Sequence, residues 1–114
     1  MLNYTTLDES QVEFYEIAPL DELPEGERLF VQIGMEPIVL FNIAGQIFAI
    51  ADRCSHDDGP LGEGELEGYT IICPRHGAEF DVRNGKVLQM PAVADIPAYP
   101  VKVIEGKIYV GVPR

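Results

Sequence analysis

Four side chains of this 114-residue sequence can act together as soft metal ligands: Cys54, His56, Cys73 and His76. They stand as Cys-x-His, a gap of sixteen residues, then Cys-x-x-His, and they are the only two cysteines and two histidines in the chain. Each pair follows a predicted strand, ending at Ala51 and at Ile72, so each falls on a loop at a strand end where side chains can converge. Two such loops brought together at hairpin ends would present four ligands to one site. The plain alternative is one or two buried thiols and histidines that merely hydrogen-bond within loops. It suits any one of the four residues alone but not all four in paired order. A zinc ion is the stronger chemical competitor, since it accepts two thiolates and two imidazoles in a tetrahedron. Structural zinc sites usually set two cysteines at one corner and two histidines at the other, whereas here each loop supplies one of each.

The elements that must position these residues read as all-β. Short runs rich in Val, Ile, Phe and Tyr recur between Gly, Pro and Asn, and no segment keeps a 3.6-residue apolar period. The pattern predicts strands over Val12 to Ile17, Glu27 to Ile33, Ile38 to Ala44, Gln46 to Ala51, Tyr69 to Ile72, Glu79 to Val82, Lys86 to Leu88, Tyr99 to Ile104 and Lys107 to Val112. Tight turns are expected at Ala44-Gly45, Asn84-Gly85 and Glu105-Gly106, and Asn84-Gly85 is the pair that a type I′ hairpin prefers. Antiparallel hairpins should dominate. Pro19 to Gly26 reads as an acidic surface loop with at most one helical turn, around Leu20 to Leu23. From Asp52 to Gly68 the composition turns abruptly to Gly, Asp and Glu, with almost no strand-forming residues, and this excursion carries the first Cys/His pair.

Length and 46% hydrophobic content suit one compact domain over residues 1–114. Nineteen acidic residues against eight basic ones leave a formal charge of −11, a field that repels nucleic acid and anionic membranes alike. It would attract a protein with a basic patch, and it also serves solubility. Met1 to Ser10 has neither the basic start nor the apolar stretch of a signal peptide. The apolar-rich segment around Ile38 to Ile50 is broken by Asn42, Gly45 and Gln46 and is too short to span a membrane. The expectation is a soluble cytoplasmic protein whose thiols stay reduced and available as ligands.

The motif closely resembles that of the Rieske family, in which Cys-x-His and Cys-x-x-His loops hold one [2Fe-2S] cluster, two cysteines on one iron and two histidines on the other. The stretches from Cys54 through Gly59, Pro60 and Leu61, and from Cys73 through Pro74, Arg75, His76, Gly77, Ala78 and Phe80 to Asp81, look like the two cluster loops. Asn84-Gly85-Lys86-Val87 and Pro91-Ala92 resemble the hairpin and the proline-containing third loop that covers the cluster. The resemblance implies an antiparallel β-sandwich or barrel with a cluster-binding part at about residues 51–92 and a basal part at about 1–50 and 93–114. It assigns Cys54, His56, Cys73 and His76 as ligands and implies an electron carrier rather than an enzyme. Neutral imidazoles in place of two thiolates leave less negative charge on the cluster, which makes reduction easier than in plant-type ferredoxins. Imidazole edges lying at the surface, as in the family, suggest His56 and His76 as the exit route for the electron.

The glycines Gly59, Gly62, Gly64 and Gly77 lack the lysine and helix of a phosphate loop, so they read as turn formers and backbone donors to sulfur. Pro60, Pro74 and Pro91 stiffen the loops or are ordinary turn prolines. Arg75 can pair with Asp57 or Asp58, dock a partner, or simply be solvated. Respiratory and photosynthetic Rieske subunits carry a further disulfide-bonded cysteine in each loop, where this chain has Gly59 and Arg75. The sequence is similar instead to bacterial Rieske ferredoxins, which implies a flavoprotein reductase and a terminal oxygenase as partners, meeting acidic Asp57, Asp58, Glu63, Glu65 and Glu67 with basic docking patches. The small Rieske-like subunit of a cytoplasmic NAD(P)H nitrite reductase is the alternative within the family, although it usually lacks cluster ligands. A structural zinc module is the alternative outside it. In high-potential members a serine and a tyrosine stand where this chain has Ala78 and Phe80, so the resemblance further implies a potential near the low end of the family's range.

Overall fold

Runs of β-branched and aromatic residues separated by turn formers pair as antiparallel ladders, and that pattern governs the whole chain. The computed structural model describes residues 9–55, 59–90, 92 and 94–114. Its strands are β1 (Val12–Pro19), β2 (Arg28–Ile33), β3 (Glu36–Ile43), β4 (Gln46–Ala51), β5 (Glu65–Glu67), β6 (Thr70–Ile72), β7 (Glu79–Asp81), β8 (Val87–Gln89), β9 (Ala98–Tyr99), β10 (Val101–Ile104) and β11 (Lys107–Pro113). They form three sheets, in the orders β1-β11-β10, β2-β3-β4-β9 and β5-β6-β7-β8.

The run Ile38-Val39-Leu40-Phe41 on β3 explains how the sheets stack. All four residues are buried, and successive side chains of a strand point to opposite faces. Val39 and Phe41 therefore join Ile50, Ile71, Phe80 and Val82 in one apolar cluster, while Ile38 and Leu40 join Ala49, Ile108 and Val110 in another. The second sheet is thus a middle layer with a core on each face. The first sheet covers one face and the third covers the other. Burying each of the Val, Leu, Ile and Phe side chains among these favours folding by about 1.5–3 kcal/mol relative to exposure.

Three local features differ from the sequence-based expectation. The stretch Tyr99 to Ile104 is two strands: β9 pairs with β4 in the middle sheet and β10 with β11 in the first. Pro100 stands at the break, lacking the N–H a continuous ladder needs, while its carbonyl accepts from Gly111 N–H at 2.9 Å. Glu65–Glu67 forms an extra strand inside the polar excursion, with Leu66 alone turned toward the core between two exposed glutamates. A single apolar residue leaves no alternation to read. The third concerns the turns. Ala44-Gly45 and Glu105-Gly106 have positive φ at both positions, as a type I′ turn requires. At Asn84-Gly85 only the glycine does, and the chain makes a longer connection from β7 to β8. Gly85 N–H donates to the Asp81 carbonyl at 2.7 Å and the Asn84 side chain accepts from Lys86 N–H at 3.0 Å. A Cβ at Gly85 would lie 2.0 Å from the Ile96 carbonyl oxygen, so backbone contact as well as φ demands glycine there. The expected helical turn is present as a 3-10 turn at Leu20–Glu22, closed by Leu23 N–H donating to the Leu20 carbonyl at 3.0 Å.

Asp81 ties this connection down. Its Oδ1 accepts from the Arg83 backbone N–H at 2.9 Å and from Arg83 Nε at 3.0 Å, and its Oδ2 accepts from Arg83 Nη2 at 2.9 Å. The same guanidinium lies 4.3 Å from the Tyr69 ring centroid, and Tyr69 meets Phe48 edge-on at 5.8 Å. Burial pushes the Asp81 carboxyl up, but hydrogen bonds from the Arg83 side chain and backbone, with its charge, outweigh burial and hold it below the ordinary carboxylate value. Because the folded value is the lower one, this carboxylate contributes stability that is present above about pH 4 and lost as pH falls through the folded value. Arg83 is half exposed, so solvent screens much of the charge attraction. Asp81→Asn should then cost about 1 kcal/mol at pH 7. Urea unfolding of both proteins between pH 7 and pH 3 checks this: the gap should shrink toward acid, and a gap independent of pH would assign the cost to packing.

Candidate metal centre

The excursion that carries the first cysteine runs from the end of β4 in the middle sheet to β5 in the third. The second cysteine lies at the tip of the β6–β7 hairpin. Polar, glycine-rich segments need partners for their backbone groups wherever they leave water, and both loops find them locally. Cys54 N–H donates to the Gly59 carbonyl at 2.8 Å, and Cys73 N–H donates to the Ala78 carbonyl at 2.7 Å. Gly77, at φ 78°, turns the second loop so that its N–H donates back to the Cys73 carbonyl at 3.1 Å. A left-handed residue of this kind strongly favours glycine.

These turns drive both thiols inward. Cys54 and Cys73 are not disulfide-bonded, are buried and belong to one apolar cluster that also holds Leu61, Ala78, Phe80 and Ala92. His76, by contrast, is exposed, as are Pro74 and Arg75 beside it. One loop therefore presents sulfur to the core and imidazole to the solvent side. Gly59 is buried and Pro60 exposed. His56, Asp57, Asp58 and Pro91 were expected to contribute, and they lie outside the described residues. Among the described residues no three of His, Cys, Asp and Glu gather about a single point as a metal-ion site. Two buried thiols with an exposed imidazole are donors that could be shared between two irons, thiolate on one and imidazole on the other.

Several residues that hold this arrangement carry no signal in the sequence. Asp52 Oδ1 accepts from the backbone N–H groups of Leu61 at 2.9 Å and Gly62 at 2.6 Å. Arg28 Nη1, from β2, donates to the carbonyl of Gly62 and to that of Gly64, the latter at 2.8 Å. The Ser55 hydroxyl donates to the Ala94 carbonyl at 2.5 Å, joining the first loop to the segment after Pro91. That segment is fastened to the β7–β8 hairpin through Asp95 Oδ1, which accepts from Val87 N–H at 2.9 Å, and through Ile96 N–H, which donates to the Gly85 carbonyl at 2.8 Å. Only the shared excess of Asp, Ser and Gly in loops could have hinted at these contacts. Their partners lie 8 to 39 residues away.

Around the site, Glu63, Glu65 and Glu67 are exposed. Leu88 and Met90, on and just after the edge strand β8, are also exposed, at 53% and 73%. Among the described residues no helix is long and apolar enough to cross a membrane.

The comparisons agree with this geometry. The model of the Rieske [2Fe-2S] domain family matches residues 13–100. The 3-phenylpropionate/cinnamic acid dioxygenase ferredoxin subunit of Escherichia coli is 42% identical over 98 residues, covering 84% of this chain and 91% of that one. The ferredoxin of carbazole 1,9a-dioxygenase from Nocardioides aromaticivorans IC177 is similar in structure, with a TM-score of 0.81 and 28% identity over 89% of this chain and 98% of that chain. A chain in a complex of reduced oxygenase and oxidized ferredoxin in carbazole 1,9a-dioxygenase is similar with a TM-score of 0.79 and 30% identity, over 85% of this chain and 91% of that one. Motif, paired buried thiols and the three comparisons converge: the chain belongs to the Rieske [2Fe-2S] domain family, and its cofactor is one Rieske-type [2Fe-2S] cluster.

Proposed function

We propose that this protein is a one-electron carrier that takes electrons from a flavoprotein reductase and delivers them to a terminal oxygenase of the dioxygenase type, with Cys54 and Cys73 ligating one iron and His56 and His76 the other. The observation that carries the ligand reading is the burial of both thiols in one apolar cluster beside an exposed His76. The relatives carry the system: one is named as a dioxygenase ferredoxin subunit, and a similar chain sits in a complex of ferredoxin with oxygenase. When bound, the cluster supplies one reversible electron. The chain's own residues keep water from the sulfur side and leave an imidazole at the surface, where a partner can approach it. We read residues 1–114 as one domain because the apolar cluster that holds Cys54 and Cys73 also includes Val39 and Ala98 from the middle sheet. A cytoplasmic setting fits two cysteines that are not disulfide-bonded.

Cys73→Ala and His76→Ala should each abolish the cluster, because a missing ligand opens an iron to water and the loops lose the folding free energy that metal binding supplies. Iron and sulfide analysis with a visible spectrum checks this, and a variant with wild-type iron content would refute the ligand assignment. A colourless protein loaded with zinc would overturn the carrier itself.

Exposed Glu63, Glu65 and Glu67, with Asp57 and Asp58, are proposed to meet basic patches on the partners. Raising the salt concentration should then slow reduction of the oxygenase at limiting ferredoxin, since exposed charges are screened within about 8 Å at physiological ionic strength. A rate indifferent to salt would leave the acidic rim only a solubility role.

Ala78 and Phe80 are fully buried with the two cysteines and have no hydroxyl to donate toward sulfur. A donor to sulfur favours the electron-rich reduced state, so the potential should lie near the low end of the Rieske range, about −150 mV. Ala78→Ser or Phe80→Tyr should raise it, by about 40 mV if the gained bond favours the reduced state by about 1 kcal/mol. Protein-film voltammetry decides: a wild-type value well above zero, or no rise in either variant, removes these two residues as the cause.

A further inference from the structure

The span from Asp52 to Gly64 is held at its far end by two charged side chains that grip one short piece of backbone from opposite sides. The Asp52 carboxylate takes the N–H groups of Leu61 and Gly62 through a single oxygen, at 2.9 and 2.6 Å. Arg28 takes the carbonyls of Gly62 and Gly64. Gly62 is therefore fastened at both its N–H and its C=O. Arg28 is itself fixed from the middle sheet, its guanidinium lying 5.3 Å from the ring centroid of buried Phe41.

The grip has a direction. A Cβ at Gly62 would lie 2.9 Å from the Val39 side chain, and one at Gly64 would lie 1.8 Å from the carbonyl oxygen of Ile72. The first loop is thus pressed onto the middle sheet and onto the last residue of β6, which directly precedes Cys73. The close approach of Gly64 to the Ile72 carbonyl connects the loop carrying Cys54 to the strand end that precedes Cys73, and the hydrogen bonds from Asp52 and Arg28 hold Gly62 and Gly64 in that place.

We infer that Asp52 and Arg28 are positioning residues for the cluster, acting together to set how the Cys54 loop stands against the Cys73 loop. The inference rests on the reading of these cysteines as ligands. Asp52 and Arg28 are not themselves read as ligands. They act through the backbone at Leu61, Gly62 and Gly64, and their hydrogen bonds rather than their charges do the work.

Asp52→Ala, Asp52→Asn and Arg28→Met, each prepared as the holoprotein, test it. Asparagine keeps Oδ1 as an acceptor and removes the charge; methionine keeps an apolar stem over Phe41 and removes the donors. The readouts are the g-values of the reduced protein by electron paramagnetic resonance and the rate of iron release to a chelator, with the melting temperature recorded alongside. Asp52→Ala and Arg28→Met should each shift the g-values and release iron at least about fivefold faster, the equivalent of one lost hydrogen bond, or fail to retain the cluster at all. Asp52→Asn should restore wild-type g-values and release. An Asp52→Ala protein with unchanged g-values and release, whatever its melting temperature, overturns the inference and leaves an ordinary loop cap. An Asp52→Asn protein as altered as Asp52→Ala also overturns it, because charge would then be the active property. Failure of the ligand reading is distinguishable, since Cys73→Ala would then keep its iron and sulfide.

Discussion

Two thiols from separate loops are buried together in a cluster otherwise made of aliphatic and aromatic side chains, and the third sheet is arranged around that requirement. Polar, glycine-rich loops have little apolar surface with which to enter a core. They enter here with backbone N–H groups met at short range, those of Cys54 and Cys73 by the Gly59 and Ala78 carbonyls and those of Leu61 and Gly62 by the Asp52 carboxylate. Without such partners each buried backbone group would cost about 1–3 kcal/mol, more than the burial of two small thiols returns.

The middle sheet makes the burial possible by having a core on each face. Its β3 strand places Val39 and Phe41 in the cysteine cluster and Ile38 and Leu40 in the other core, so the cysteine side stands on a strand that is packed on both faces. Arg28 extends the same support. It leaves β2 and stacks on Phe41 before reaching the Gly62 and Gly64 carbonyls. Stiffness at the sulfur side and exposure at His76 together suit a carrier, whose ligands should move little when an electron arrives and whose outer edge must be reachable.

The acidic residues divide by role in a way that the net charge of −11 conceals. Asp52, Asp81 and Asp95 point their oxygens at backbone N–H groups and shape loops. Glu63, Glu65 and Glu67 face solvent. Charge counting treats these two groups alike. Only hydrogen-bond geometry separates them.

The amino-acid sequence by itself determined the placing of both cysteines at strand ends, the all-β character and most strands, because each of these is a local property of spacing, alternation and turn residues. Gln46–Ala51 is present as expected, and the other expected strands differ mainly at their ends. Tertiary structure decided the rest. Pro100 could be a residue within an edge strand or a break between sheets, and the separate pairing of β9 with β4 and β10 with β11 decides for the break. Leu66 becomes part of a strand because β6 lies beside it. Asn84-Gly85 loses the turn that its residue types favour because Asp81 and Ile96 hold the connection in another shape. The grip of Asp52 and Arg28 on Gly62 spans 10 and 34 residues, and no periodicity encodes such a contact. Chain neighbours settle what a residue can do; which polar side chain meets which distant peptide is settled only once the sheets have stacked.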